Sequence, residues 1–337
     1  MQEHISIVVT SINRPNKALF NLAAGCEEHG YKFIVIGDVT SPPDFQIKGC
    51  DFYSLERQAQ TTLKYAKHCP QLHYARKNIG YLLAIKNGAK IIVDTDDDNI
   101  PYETFWNLDL GQQIIQVSAV ERKGWLNVYR YFSDANIWPR GFPLNKISDD
   151  VPPFETLSLR KLNCPIQQGL ADKDPDVDAI YRLVFPLPQH FLKNRQVALK
   201  NDAWCPFNSQ NTTWWKDAFP LLYLPAYCSF RMTDIWRSFV AQKIAWANNW
   251  TVVYHSPTVR QERNKHNLMK DFSEEVQGYL YNEKICEELN ELPIKPGVDN
   301  LTWNLEICYG KLVEMGVIEK MELNLLGAWI DDLKKIV

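Results

Sequence analysis

The stretch Ile91-Ile92-Val93-Asp94-Thr95-Asp96-Asp97-Asp98-Asn99 decides how this chain is read. Three apolar β-branched residues run into four carboxylates within five positions. An uninterrupted apolar run of this kind predicts a strand buried on both faces, the usual state of a parallel strand. Carboxylates set so close repel, and each nearby anion makes the next harder to ionise. A bound divalent cation is the simplest relief. Ligand crevices in open α/β sheets lie outside the carboxyl ends of the strands. Asp96, Asp97 and Asp98 are therefore expected at a metal site on the sheet edge. Asp94, still inside the strand, is the structural member.

Outward from that strand, the first hundred residues alternate between two periodicities. Ile5-Ser6-Ile7-Val8-Val9 reads as a first strand running into the polar loop Thr10 to Pro15. Leu19, Leu22, Ala23 and Cys26 stand at helical spacing and predict a helix over 16–29, stopped by Gly30. Phe33-Ile34-Val35-Ile36 reads as a second strand, with Gly37-Asp38 at its carboxyl end. Helices are expected over 54–66 and 80–87. Strands alternating with helices imply a doubly wound, largely parallel sheet. From 120 to 230 prolines recur, Pro139, Pro143, Pro175, Pro188 and Pro206 among them. Each restricts its own φ and its predecessor's conformation, so short strands and ordered loops are expected there. A helix returns over 233–248, and the tail from 273 reads as helices.

Composition bounds the function classes. A chain of 337 residues with 45% hydrophobic and 23% charged residues suits a globular protein with a large core. Its 37 basic and 40 acidic residues nearly cancel, which gives no electrostatic case for nucleic acid. The eight cysteines form no Cys-x-x-Cys pair, arguing for reduced thiols and against a structural zinc site. No secretory signal is read at Met1-Gln2-Glu3-His4 and no transmembrane segment is expected, so the expected location is cytoplasmic.

Several chemistries compete for the aspartates. An EF-hand loop beginning at Asp94 needs Gly at its sixth position and Glu at its twelfth, where Asn99 and Phe105 stand. A phosphatase with an aspartyl nucleophile would use Asp94 and Asp96, but normally after the first strand of its domain. A solvated acidic turn is the bland alternative. The remaining reading is the Asp-x-Asp element of a nucleotide-sugar glycosyltransferase. Hard oxygen donors suit Mg²⁺ or Mn²⁺, which bridges the donor's diphosphate and neutralises the leaving group.

Ordered pieces then carry a resemblance. They run from Arg76 through Gly80 to Asp96-Asp97-Asp98, then Arg140-Gly141-Phe142-Pro143 and Gln168-Gly169-Leu170 with Asp176-x-Asp178-Ala179, and on to Thr233-Asp234-Ile235-Trp236 and His255-Ser256. In this order they resemble the reversibly glycosylated polypeptides, which include the UDP-arabinopyranose mutases. From Phe230 to Leu280, through Phe230-Arg231-Met232-Thr233-Asp234-Ile235-Trp236-Arg237 and Arg263-Asn264-x-His266-Asn267, the chain resembles the STELLO-like glycosyltransferases. Both resemblances imply the GT-A fold, a Rossmann-like α/β architecture. Its mixed, mainly parallel sheet is flanked by helices, here with a C-terminal helical extension. The implied organisation is a glycosyltransferase domain over 1–270, with a nucleotide-binding half (1–115) and an acceptor half (116–270), then the extension over 271–337.

The resemblance also implies roles. Thr10 and Arg14, at the end of the first strand, would meet the nucleotide, although a lone loop arginine is as often simply solvated. Asp38 would contact base or ribose, and Arg76 and Asn78 the ribose and diphosphate. Asp96 and Asp98 would serve the metal and ribose. Asp97, pointing the other way if the strand continues, would turn to the donor or be buried. His255 would be a late metal or diphosphate ligand. Asp234 would bind sugar hydroxyls or act as a base on the acceptor, though a carboxylate opening a helix is favoured by the dipole in any case. Arg140 matches the arginine glycosylated in the mutases, or would hold the diphosphate. Arg260, Arg263, Lys265 and His266 would form a basic loop over the leaving group. The expected function is metal-dependent transfer of a sugar from a nucleotide-sugar donor, a UDP-sugar, to a glycan or other acceptor. A UDP-sugar mutase and a non-catalytic nucleotide-sugar binder are the alternatives. Homo-oligomerisation is left open.

Overall fold

A computed structural model describes residues 4–264 and 266–336. The expectations on Met1 to Glu3 and on Lys265 fall outside the described residues. The chain opens with strand β1 (Ile5–Thr10) and helix α1 (Lys17–His29). Asn16 caps α1 by accepting from the Leu19 N–H, and Gly30 ends it at φ 72°, a conformation that favours glycine. Strands β2 (Lys32–Ile36) and β3 (Cys50–Tyr53) follow, then helices α2 (Leu55–Ala59), α3 (Lys64–His68) and α4 (Lys77–Lys86), and the aspartate strand β4 (Ile91–Thr95). The single helix expected over 54–66 is split in two. The cause is tertiary: the Asp332 carboxylate accepts from the Lys64 and Tyr65 N–H groups at 2.9 and 2.7 Å and caps a new helix there.

The proline-rich middle forms mostly short elements, as expected, but also one strand of 15 residues. These are β5 (Asn99–Pro101), β6 (Ile114–Val120), β7 (Gly124–Trp125), the long β8 (Ser158–Asp172), α5 (Ala179–Val184), β9 (Gln196–Leu199), β10 (Ala203–Trp204) and β11 (Asn211–Trp215). Then come α6 (Thr233–Ala247), β12 (Trp250–Gln261), α7 (Leu268–Asn290), α8 (Leu301–Glu314) and α9 (Glu322–Ile336).

Ten strands make one sheet in the order β3-β2-β1-β4-β11-β8-β6-β9-β12-β5. The first four are parallel, and β11 enters antiparallel between β4 and β8. Beyond it the pairing is mixed: β8 carries β6 antiparallel over 158–163 and β12 parallel from Asn163 to Asp172. This is a mixed α/β architecture with a large central sheet, flanking helices and a C-terminal helical region. From β1 the chain steps outward to β2 and β3, then returns to lay β4 on the other side of β1. The strand order therefore reverses between β1 and β4, where a doubly wound sheet opens its ligand crevice.

Helix α1 covers one face of the parallel half through Leu19, Leu22 and Cys26, against Ile7, Val9, Phe33 and Val93. The opposite face carries α4, α6 and the three last helices in one continuous core. Tyr65, Tyr223, Tyr309 and Trp329 meet edge-on or tilted in that core, joining α3, α8 and α9 to the loop after β11. Among the described residues no helix is long and apolar enough to cross a membrane. All eight cysteines are unpaired, six of them buried. Removal from water raises the pKa of every one, to about 12 for Cys50, Cys69, Cys164, Cys205 and Cys308.

Candidate active site

Strand β4 stops at Thr95, and Asp96, Asp97 and Asp98 form the turn that follows. The expected alternation of their side chains therefore does not apply; instead they diverge. Asp94 points into the core, fully buried, with its carboxylate 2.6 Å from Lys77 Nζ and 2.9 Å from Arg237 Nη1. Asp97 accepts from Ser11 Oγ (2.6 Å), Asn13 Nδ2 (3.0 Å) and Asn264 Nδ2 (3.3 Å), and Asn16 Nδ2 donates to its carbonyl at 2.9 Å. It thus ties the end of β1 to the end of β4. Asp98 accepts one hydrogen bond on each oxygen, from Gln261 Nε2 at 2.9 Å and the Asn264 N–H at 3.2 Å. Asp96 is the most open of the three, 37% exposed, with one oxygen 3.4 Å from Lys77 Nζ.

Crowding shows in the acidities. Desolvation pushes Asp96 up to about 7, with Asp98, Asp94 and Asp97 adding to the rise against the pull of Lys77. Desolvation and Asp97 push Asp98 up to about 6, against the hydrogen bonds from Gln261 and Asn264. The cluster thus carries less negative charge than its composition suggests until a cation offsets it.

The turn floors a cleft of about 520 Å³ at the β1/β4 switch point. Ten residues given roles from the sequence line it: Thr10, Asp38, Arg76, Asp96, Asp97, Asp98, Arg140, Asp234, Arg263 and His266. Arg263 Nη2 pairs with Asp271 at 3.0 Å; burial and the neighbouring Arg182 and Arg231 lower it to about 10. Asp38 accepts from the Val39 and His73 N–H groups and so shapes the loop walls.

Several expected roles need correction. His255 is not brought to the aspartates. It stands six residues before Gln261, the β12 residue that touches Asp98, which is roughly 20 Å of extended strand, and it lines a different cleft. Asn78 is fully buried and spends its amide on Tyr65 Oη and on the Leu224 backbone in both directions, so it is structural. Arg14 reaches outward to Asp44, with 76% of its side chain exposed. Arg76 borders the cleft but gives its guanidinium to Gln58 and the Cys69 and Pro70 carbonyls. Arg260 pairs with Glu262 at 3.8 Å and does not line this cleft.

Arg140 and Asp234 form a strap across the far wall. Arg140 makes a fork to Asp176 (2.8 Å twice), a second pair of bonds to Asp234 (3.1 and 2.9 Å) and one to the Arg231 carbonyl. All of its five N–H donors are taken. Asp234 also accepts from Tyr74 Oη and from the Ser209 N–H and hydroxyl. Arg140 and these hydrogen bonds outweigh its burial and hold its acidity well beyond the ordinary carboxylate range. A carboxylate so stabilised is a positioning group and a poor base.

Sequence reasoning missed Lys77 and Arg237, which anchor Asp94, and the Ser11, Asn13 and Asn264 donors that fix Asp97. Lys77 stood between two residues already singled out, and Asn13 beside a third. Arg237 and Asn264 stood inside the stretches that carry the STELLO resemblance but drew no role, because α6 and the loop after β12 meet the aspartate turn only in three dimensions.

Residues 231–337 match the family model for STELLO glycosyltransferases. The Arabidopsis thaliana proteins named Probable glycosyltransferase STELLO2 and Probable glycosyltransferase STELLO1 are 30% and 29% identical to the chain, each over 76% of it and 35% of their own length. The chain is STELLO-like. It spans about a third of the length of those curated relatives. A solved chain titled "Crystal Structure of a Mycobacterial Protein" aligns over 83% of this chain and 74% of its own, at TM-score 0.41 and 9% identity, too distant to carry an argument. The STELLO match begins at Arg231 and so covers Asp234, Arg237, Arg263 and Asn264. It takes in one wall of the cleft, while the aspartate turn lies in the part covered by the pairwise likeness.

Proposed function

We propose that this STELLO-like chain is a metal-dependent glycosyltransferase that takes its sugar from a nucleotide-sugar donor, a UDP-sugar, in the cleft between β1 and β4. The observation carrying this reading is the pair Asp96 and Asp98, crowded carboxylates that line the bottom of a switch-point crevice beside Asp97. Among the described residues no three His, Cys, Asp or Glu side chains stand close enough to hold an ion alone. Two hard carboxylates, one with an unbonded oxygen, suit a Mg²⁺ or Mn²⁺ that completes its shell with phosphate oxygens and water. Such an ion, when bound, offsets charge on the leaving diphosphate.

The chain's own groups account for the rest. Thr10, Gly37 and Asp38 border the end of the cleft where β1 and β2 stop, which suits the nucleoside. Arg263 faces the same cleft from the β12 side and suits the phosphates. Arg140 held between Asp176 and Asp234 is a tightly bonded group with one carboxylate charge left over, and it presents a wall to the sugar without supplying a base. The acceptor is a glycan or another hydroxyl-bearing group.

A thermal-shift panel of UDP, GDP and UDP-sugars, each with and without Mn²⁺, tests the reading. Stabilisation by a nucleoside diphosphate that depends on Mn²⁺ and is lost in Asp96→Ala and Asp98→Ala is expected. Failure of every nucleoside diphosphate to stabilise the folded wild type would sink it. The mutase alternative requires a labelled sugar on Arg140, and intact mass after incubation with UDP-sugar is expected to show no adduct. Loss of measured turnover in a folded Asp96→Ala variant would likewise exclude a purely non-catalytic binder.

A further inference from the structure

A second cleft, of about 760 Å³, opens on the sheet over β6, β8, β11 and β12 and shares no lining residue with the first. Its volume lies within the ~300–1,000 Å³ of ligand pockets. The two differ in chemistry. The switch-point cleft is ionic. In the second, the only formally charged lining residues are Glu103, Lys193 and Arg195. Glu103 and Lys193 are exposed rim residues, and Arg195 is spent on the Tyr131 carbonyl (2.7 Å) and the Phe154 ring.

The floor is polar where a sheet face should be apolar. On β11, Asn211, Thr213 and Trp215 project to one side, and Thr213 is only 8% exposed. Its hydroxyl makes no hydrogen bond among the described residues. Gln167, 6% exposed, gives its amide hydrogens to the Gln112 and Cys164 carbonyls (2.7 and 3.1 Å), and its Oε1 is left with no partner among those residues. His255 directs Nδ1 to the Ser256 carbonyl at 3.2 Å, which leaves Nε2 as an acceptor, and burial keeps the ring neutral. A Cβ on Gly169 would lie 2.5 Å from Asn211 Nδ2, 2.9 Å from Thr258 Oγ1 and 3.0 Å from His255 Cε1, so glycine there lets the three side chains converge.

Neither the Thr213 hydroxyl nor Gln167 Oε1 is sealed from the surface, so both oxygens stand open to the cleft and to a ligand there. Amide, hydroxyl and neutral imidazole groups both offer and take hydrogen bonds, the pattern of vicinal sugar hydroxyls. The absence of charge on the floor gives a phosphate or uronate nothing to pair with. We propose that this second cleft binds a neutral oligosaccharide, independently of the nucleotide-sugar site.

The test is calorimetric titration of the full chain with cellohexaose, xylohexaose and mannohexaose, and with hexagalacturonate as the anionic counterpart. At least one neutral hexaose is expected to bind, with the same affinity in the presence of saturating UDP and Mn²⁺, and hexagalacturonate is expected not to. Thr213→Val removes a hydroxyl but no hydrogen bond within the protein; it is expected to keep the melting temperature and weaken binding about five-fold, the value of one hydrogen bond. Gln196→Ala, at the exposed rim, gives a second variant that leaves the fold alone and is expected to weaken binding in the same direction. The proposal is overturned if no neutral hexaose binds at millimolar concentration, if UDP displaces it, or if both variants bind as the wild type does. None of these results bears on whether the switch-point cleft takes a nucleotide.

Discussion

Asp94 shows how one buried charge sets the geometry of the cleft. Shared between Lys77 and Arg237, it fixes the lysine that in turn reaches Asp96. Removing one partner from a buried ion pair costs more than the pair contributes, about 3–5 kcal/mol. Arg237→Met is expected to lose stability on that scale in urea denaturation, whereas Arg14→Ala, which breaks an exposed pair, stays within about 0.5 kcal/mol of wild type. Asp178 carries a pH dependence. It accepts from the Tyr181 N–H and from Trp138 Nε1, yet burial raises it from 3.8 to about 6, with Glu275 and Asp176 adding to the rise. The folded state therefore binds this proton more tightly than the unfolded one. The resulting stability is complete below pH 3.8 and is lost as pH rises to about 6. Asp178→Asn is expected to flatten that part of the stability–pH curve, measured by chemical denaturation at half-unit steps.

Among the elements, the parallel half was legible because its periodicities are local. Strands β1, β2 and β4 and helix α1 could be read from residues within each segment, and a crevice beside Asp96 was expected from the carboxyl ends of those strands, whereas the reversal of strand order that opens it was not. What escaped was whatever distant residues decide. Asp332 breaks the helix that Ser54 to Ala66 would otherwise form. The end of β4 at Thr95 sends the three aspartates apart, where period-two reasoning opposed them. His255 was expected at the metal or diphosphate from the family resemblance; the register of β12 carries it to another cleft. Close packing between elements was equally invisible. A Cβ on Gly80 would lie 2.5 Å from Val8 and 2.9 Å from Ile36, so α4 sits on β1 and β2 only through glycine. Gly80→Ala is expected to cost about 1–3 kcal/mol, despite alanine's better helix propensity, and calorimetry gives the sign.

For the whole molecule, the last helices share the core of the sheet. Glu322 at the start of α9 accepts from the Tyr223 hydroxyl and from the Ala226 and Tyr227 N–H groups, while Trp329 packs on Tyr65 and Tyr223. Deleting 291–337 would bare that aromatic cluster and leave these N–H groups unpaired. The shortened chain is expected to bind a hydrophobic dye and to lose its cooperative transition; a soluble, cooperatively melting product would contradict the shared core.

The thiols lie in separate parts of that interior. Cys26 belongs to the core under α1 with Cys50 at its margin, Cys164 to a small cluster on the open sheet face, and Cys69, Cys205, Cys286 and Cys308 to the main core. None is a thiolate to any useful extent near neutral pH, so each reacts only when its surroundings open. The protein thus carries its own set of clocks. Alkylation followed residue by residue in native buffer is expected to release Cys50 and Cys228 first and the main-core thiols together, at the rate of global unfolding. Modification of Cys286 or Cys308 as fast as Cys50 would show that the terminal helices part from the sheet on their own.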